Sequence, residues 1–334
     1  MSLKRAFITH TGSYLPNKIL TNADLEKMVD TSNEWIITRT GMKERRIAAE
    51  DEFTSDMGYK AAKKCLEKAG IGPSEIDLII VATITPDHIF PSTACLIQKL
   101  LGANRAAAFD IQAACSGLLY GLGMAKSFVE SGQYKKILII GSEKLSSIVD
   151  YEDRSTCVLF GDGAAACLVQ DSQSGLRIDA FQLGADGVQS DLLILPAGGC
   201  RKPASLETLK NRDHFLKMDG REVFKHAVRR MEQSMIESIE KAGLNCEDID
   251  WLVPHQANIR IINSLARRCG IDDSRVIKTG EKYGNTSASS IGIGLDEMLD
   301  ENLIKEGNNL LLIGFGAGLT WGSIVLKMVR GQNE

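Results

Sequence analysis

The sequence predicts an α/β fold: two similar halves, each a sheet, packed with helices into layers. Three observations predict it. The first is an internal repeat. EKAGIGPSEIDLIIV begins at Glu67 and EKAGLNCEDIDWLV at Glu240, and at the same offset of 173 residues KKILIIGS (Lys135–Ser142) lies over NNLLLIGF, with Gly314 matching Gly141. One spacing therefore relates a helix end and two strands, which implies duplicated halves, 1–175 and 176–334. The second is a set of short, almost wholly apolar runs, IDLIIVATI and KKILIIG. Strands of that kind are buried on both faces by covering helices. The third is the alternation of such runs with apolar residues at helical spacing.

In chain order, SDMGYKAAKKCLEKAG reads as a helix ending at a glycine, IDLIIVATI as a strand, PSTACLIQKLLG as a helix and AAAFDIQAA as a buried strand with its exit. SGLLYGLGMAKSFVESG is a helix closing on Gly132, and KKILIIG is the next strand. The second half repeats the theme with REVFKHAVRRMEQSMIESIEKAG, IDWLVPH and NNLLLIGFG. Between the halves, GGCRKPASLETLKNRDHFLKMDG (Gly198–Gly220) is polar and reads as a mobile loop leading into a helix.

Composition narrows the function classes. The 334 residues carry a net charge of −4, which does not suggest a nucleic-acid partner. MSLKRAFITHTGSYLPN lacks the apolar core of a signal peptide, and no apolar run reaches membrane-spanning length. A soluble, cytoplasmic protein with no membrane partner is expected. The eight cysteines form no C-x-x-C pair and none lies near a histidine at ligand spacing, so no metal site is expected. Free thiols, mostly packing the core, fit best.

Three residues carry candidate chemistry. Cys115, in DIQAACSGLLYGL, stands where a strand ends and a helix begins. The unpaired N–H groups and dipole of a helix N-terminus favour a thiolate, the nucleophilic form. A small buried core residue is the plainer reading of a cysteine there. The repeat offset carries the neighbourhood of Cys115 into KYGNTSASSIGIGL, which holds Asn285, and carries the end of IDLIIV to Pro254, beside His255 in WLVPHQAN. His255 as a helix cap and Asn285 as a turn residue are the plainer readings of each alone. One shared site at equivalent strand exits is more economical for all three.

The chain resembles the 3-oxoacyl-[acyl-carrier-protein] synthase III family, the initiating condensing enzymes of bacterial fatty-acid synthesis. The resemblance runs nearly end to end. It rests on TSNEWIITRTGMKERRIA, IFPSTAC, DIQAACSG, FGDGAAA, VPHQAN, GNTSAS and GFGAGLTWGS in that order. It implies the thiolase-like fold, a five-layer α-β-α-β-α sandwich, as a homodimer. It implies that Cys115 takes an acyl group from an acyl-CoA, with acetyl-CoA the expected donor. His255 and Asn285 then stabilise the enolate formed by decarboxylation of malonyl-acyl carrier protein. Helix-end placement, with help from His255, would lower the thiol pKa. The oxyanion would be held by backbone N–H groups of Cys115 and Ala317. Many relatives have three consecutive glycines at Gly316, Ala317 and Gly318, so alanine suffices only if position 317 does not need a positive φ.

By the same resemblance, Trp35 and Arg154 sandwich the CoA adenine, Thr31 touches the base, Arg39 meets phosphates, and Gly220 and Asn258 line the pantetheine tunnel. Without the motif, Arg39, Lys43, Arg45 and Arg46 read as a solvated charge run. Phe90 either closes the acyl pocket of a partner subunit or packs a core. The acidic carrier protein would dock on Lys225, Arg229, Arg230, Arg260, Arg267 and Arg268. No permanently bound cofactor and no metal are implied; acyl-CoA is a substrate. A thiolase would need a second cysteine in GFGAGL, and elongating condensing enzymes have histidine at 285. Three alternatives stay open: a Cys-His-Asn condensing enzyme with a longer or branched starter or a secondary-metabolite role, a cysteine acyl-thioester hydrolase, and a non-catalytic CoA-binding relative.

Overall fold

The computed structural model describes residues 4–331. Its strands are β1 (Ala6–Tyr14), β2 (Lys18–Thr21), β3 (Glu44–Ile47), β4 (Leu78–Ala82), β5 (Ala107–Ile111), β6 (Lys136–Glu143) and β7 (Gly163–Asp171). They continue as β8 (Gly175–Ala185), β9 (Leu193–Ile194), β10 (Lys217–Met218), β11 (Trp251–Pro254), β12 (Asn309–Gly316) and β13 (Thr320–Val329). The main sheet runs β11-β12-β13-β8-β1-β7-β6-β4-β5. The two expected sheets are thus joined edge to edge, but the seam between β1 and β8 is short: Phe7 pairs with Arg177 and Ile8 with Leu176.

Strand order and direction repeat on either side of that seam. On one side β4 is parallel to β5 and β6, and β6 is antiparallel to β7. On the other, β11 is parallel to β12, and β12 is antiparallel to β13. The counterpart of β5 shrinks to one parallel bridge between Leu252 and Val276.

Three apolar clusters follow from strands buried on both faces. The helices Gly117–Ser131 and Ser290–Asp300 form the middle layer, with Leu118, Leu122, Ile291 and Leu295 meeting Ile80, Ile139, Val253 and Leu312 from both sheets. Outside the first sheet, Met57, Ala61 and Ile97 cover Ile79, Val81 and Leu138. Outside the second, Met231, Met235 and Leu265 cover Leu252, Leu311 and Ile313. The layers are α-β-α-β-α, as expected from the fold class. Helix ends obey local chemistry: the Asp110 carboxylate of β5 accepts from Thr93 N and Ala94 N, both at 2.7 Å, at the start of the Thr93–Leu101 helix.

Three expectations need correction. Cys246 and Cys269 are joined by a disulfide, because the chain returns to bring residues 23 apart in sequence within bonding distance; the remaining six cysteines are free. Arg45 is fully buried rather than part of a solvated run, and it donates to Leu20 O, Asn22 Oδ1 and Val158 O. Segment 198–220 is not an open loop. It contains the helix Leu206–Lys210 and β10, which pairs with β9, and Arg212 bonds Asp150.

Candidate active site

β5 ends at Ile111, and the chain enters the helix Gly117–Ser131 through a tight turn, Ala114–Ser116, with Cys115 at its centre. Ala114 adopts φ 45°, a left-handed conformation rare outside glycine. The repeat offset maps this turn onto Ser287–Ser289, which enters the helix Ser290–Asp300, and Ser287 has φ 50°. The two elbows therefore share one strained geometry, and only the first carries a thiol. They face each other across the middle layer, where a methyl added at Gly117 would lie 3.6 Å from the Ala288 methyl.

His255 follows β11, and its N–H donates to Ile313 O at 2.7 Å. Its Nδ1 lies 2.7 Å from Ser290 Oγ. Asn285 is held by main-chain bonds on both sides: its N–H donates to Leu159 O at 2.8 Å, and its carbonyl accepts from Gly161 N at 3.0 Å. Its side-chain Oδ1 accepts from Ser287 N at 2.8 Å, and Nδ2 is left as a donor with no partner among the described residues. Cys115, His255 and Asn285 line one narrow cleft of about 110 Å³, with Phe224, Phe315 and Gly316 among its other walls. All three are buried.

Burial sets the electrostatics. It pushes the Cys115 thiol up to about 12, the nearby Glu143 adds to the rise, and a hydrogen bond with Ser287 opposes it. Burial also pulls His255 down to about 3. Burial thus acts against the expected lowering of the thiol pKa at the helix end.

The remaining candidates fall into groups. Arg154 stacks 5.1 Å from the Trp35 ring centroid and Arg39 lies 6.0 Å from it, so these three form one cluster. A ring inserted between Trp35 and Arg154 must open that pair to roughly 7 Å, two stacking distances. Thr31 sits nearby in sequence with a buried hydroxyl that has no partner among the described residues. Gly220 and Asn258 both line the cleft. Asn258 also caps the Ile259–Arg268 helix through Arg260 N, and a side chain at Gly220 would meet only Met218 at 3.6 Å, so glycine is not required there.

Phe90 is 84% exposed and Ile89 85%, so neither is core, and Phe90 does not line the cleft of its own chain. Lys225, Arg229, Arg260, Arg267 and Arg268 are exposed on the neighbouring helices Gly220–Lys241 and Ile259–Arg268. Arg230 departs from that patch: it pairs with Asp186 and stacks on Trp321. Ala317 is not a left-handed residue, whereas Gly318 has φ +131°, so alanine is accommodated. Ala317 is absent from the cleft lining and Gly316 is present; a Cβ on Gly316 would strike Cys115 N at 2.6 Å. Gly316, Ser287, Ser290 and Glu143 escaped sequence reasoning. The run of hydroxyls in TSASS and the lone acid closing KILIIGSE were the available signals.

Comparison with known proteins places these features in a family. Residues 109–187 match the family described as 3-oxoacyl-[acyl-carrier-protein] synthase III, and residues 239–328 match its C-terminal counterpart. The chain is 59% identical to a beta-ketoacyl-[acyl-carrier-protein] synthase III of Chlamydia muridarum over 97% of its own length and 100% of the relative's. It is similar to the crystal structure of 3-oxoacyl-[acyl-carrier-protein] synthase III from Aquifex aeolicus, at 50% identity and a TM-score of 0.89, covering 96% of this chain and 99% of that one. A priming beta-ketosynthase from the R1128 polyketide pathway aligns at 35% identity and a TM-score of 0.90, over 99% of this chain and 98% of that one.

Proposed function

The chain belongs to the 3-oxoacyl-[acyl-carrier-protein] synthase III family and is an acyltransferase, the condensing enzyme that initiates fatty-acid synthesis; from that premise we propose how its own residues divide the work. Cys115 attacks the thioester of an acyl-CoA, acetyl-CoA in the simplest case, and holds the acyl group. Malonyl-acyl carrier protein then enters the same cleft. With Ser290 Oγ donating to Nδ1, His255 carries its proton on Nε2, and Nε2–H and Asn285 Nδ2–H hydrogen-bond the thioester oxygen, so that loss of carbon dioxide leaves a stabilised enolate. The enolate carbon attacks the acyl-cysteine, and 3-oxoacyl-carrier protein leaves. The observation that carries this reading is the Asn285 side chain: with Oδ1 occupied by Ser287 N, its amide offers the cleft a donor and no proton to lose.

The Cys115 and Gly316 backbones, in close approach, support an oxyanion site built at that contact, with the Ala317 N–H one residue along. The Trp35–Arg154–Arg39 cluster and the unpartnered Thr31 hydroxyl support a nucleotide site for CoA, with Gly220 and Asn258 along the arm. The exposed basic residues of the two outer helices support docking of the acidic carrier protein. The contact of Arg260 with Phe224 of the cleft wall, at 5.2 Å, supports a docking patch close to the cleft. The unpaired outer edge of β5, with exposed Ile89 and Phe90 nearby, supports a homodimer in which Phe90 reaches the partner's acyl pocket. The equal strand orders support two halves, 1–175 and 176–334. No helix among the described residues is long and apolar enough to cross a membrane, in keeping with a cytoplasmic site of action.

The test is intact mass after incubation with a panel of acyl-CoA thioesters, followed by mapping of the adduct. One acyl group on Cys115 is expected, and the best-loaded chain identifies the starter. An adduct elsewhere, or none on folded protein, defeats the acyl-enzyme reading.

A further inference from the structure

A buried cation stands beside the loop that carries Asn285, and the reaction as described makes no use of it. Arg45, on β3, is fully buried and does not line the cleft. Its Nη1 donates to Asn22 Oδ1 at 2.7 Å and to Leu20 O at 3.3 Å, and its Nη2 donates to Val158 O at 2.6 Å. All three acceptors are uncharged. An apolar side chain of that volume fills a core at less cost, so what the guanidinium adds is direction. Its planar fork reaches two separate segments at once, which a lysine cannot do.

β3 threads between the two segments that hold Asn285. On one side, Arg46 O accepts from Asp162 N at 2.8 Å, and Arg45 holds Val158 O. Both main-chain bonds of Asn285 go to this same turn, 158–161: its N–H to Leu159 O and its carbonyl to Gly161 N. On the other side, Lys43 N donates to Glu281 O at 3.0 Å, three residues before Gly284. Arg45 Cβ is wedged between the two: a methyl added at Gly161 would lie 3.2 Å from it, and one at Gly284 2.9 Å. We propose that Arg45 is a positioning residue for the condensation step, fixing the turn 158–161 and with it the Asn285 amide. This rests on the condensing-enzyme reading above.

The thioester oxygen must meet two donors at once, and they come from separately anchored segments. His255 is held by Ile313 O and Ser290 Oγ, groups that Arg45 does not bond. Asn285 is held by the turn that Arg45 fixes. The separation of the two donors therefore depends on how firmly that turn is set. The fork is itself anchored. Asn22, buried, donates from Nδ2 to Met42 O and to Asn33 Oδ1, both at 2.9 Å.

The nucleophile does not share this support. The elbow under Cys115 is held elsewhere: Ser116 N donates to Ala113 O at 3.1 Å, and Thr320 Oγ1 donates to the same carbonyl at 2.9 Å. Loss of the Arg45 fork should therefore weigh on the second half-reaction and spare the first. A side chain that only stabilises the fold has no reason to divide them.

The experiment separates the half-reactions for the natural protein, Arg45→Lys, Arg45→Met, Asn285→Ala, and Arg45→Lys combined with Asn285→Ala. Acylation by saturating acetyl-CoA is read by quenched-flow mass. Condensation is read as a single turnover of the isolated acetyl-enzyme with malonyl-acyl carrier protein. Misplacing a catalytic group by an ångström costs on the order of 100-fold, so each Arg45 variant is expected to lose about that much in condensation. Acylation should stay within about threefold. In the combined variant, Arg45→Lys should cost less than about threefold beyond Asn285→Ala alone, because no amide is left to misplace. If the Arg45 variants do not fold, Asn22→Ala takes their place: it removes one of the three acceptors and should slow condensation about fivefold with acylation kept. Equal losses in both half-reactions, losses that multiply in the combined variant, or a condensation loss below threefold in either Arg45 variant (below twofold for Asn22→Ala in their place) overturns the assignment. A natural protein that forms no adduct with acetyl-CoA or any other acyl-CoA defeats the condensing-enzyme reading instead.

Discussion

At position 285 an amide and a carboxylate have the same shape and opposite chemistry. Asn285→Asp would keep the acceptor that Ser287 N requires, but would aim a negative charge where an enolate must form. We expect condensation to fall by roughly 100-fold to 1000-fold while Cys115 acylation stays within threefold, read by product formation against acyl-enzyme mass. His255 makes a pH prediction. Its folded value is depressed from 6.5 to about 3, so the unfolded chain binds the extra proton between those values, and stability falls as pH drops below 6.5. From pH 7 to pH 5 this group should cost the native protein about 2 kcal/mol, a cost absent in His255→Asn; urea unfolding at both pH values measures it. Cys115, His255 and Asn285 were legible because each lies in a motif or at an equivalent position of the repeat. Glu143 was not, because a glutamate after a buried strand reads as the strand's exposed end. Only the fold brings Thr83, Thr85 and Ser287 around it.

Among elements, the parallel strands announced themselves as apolar runs, whereas β7, β8 and β13 did not. GAAACLVQD is alanine-rich and free of β-branched residues but for one valine, and GLRIDAFQLGA alternates as a half-covered strand does. Their places are set by pairing with β1, β6 and each other rather than by local preference. The Ile259–Arg268 helix illustrates how packing sorts a face: Ile261, Ile262, Leu265 and Ala266 are buried, while Arg260, Arg267 and Arg268 project. Replacing Arg267 and Arg268 together by Gln should raise KM for malonyl-carrier protein about tenfold, flatten its salt dependence, and leave acylation by acyl-CoA unchanged. Trp35→Ala should act on the opposite substrate. Losing one stacking face is worth about 1–3 kcal/mol, so acyl-CoA KM should rise by about fivefold or more while carrier-protein kinetics hold.

For the molecule as a whole, the duplication was the most readable feature, because a repeat at constant offset survives even where each element is ambiguous. What it could not reveal was the short seam that fuses the sheets or the closure of the Cys246–Cys269 bond, both products of distant segments meeting. Exposure of Ile89 and Phe90 belongs to this scale. On an isolated chain, Phe90→Ser should change stability by less than about 0.5 kcal/mol. In the proposed dimer it should shift sedimentation toward the monomer and alter which acyl chain loads best.

The paired elbows have a consequence beyond catalysis. The thiol rides on the first elbow, while the hydroxyl of Ser287 comes from the second and the imidazole of His255 from the exit of β11. Chemistry therefore reports on assembly. A chain whose middle layer has not closed carries an ordinary cysteine with nothing aligned against it, so an unfinished molecule remains silent toward its substrates. Turnover acts as a coincidence detector, registering only when both ancestral copies have found each other.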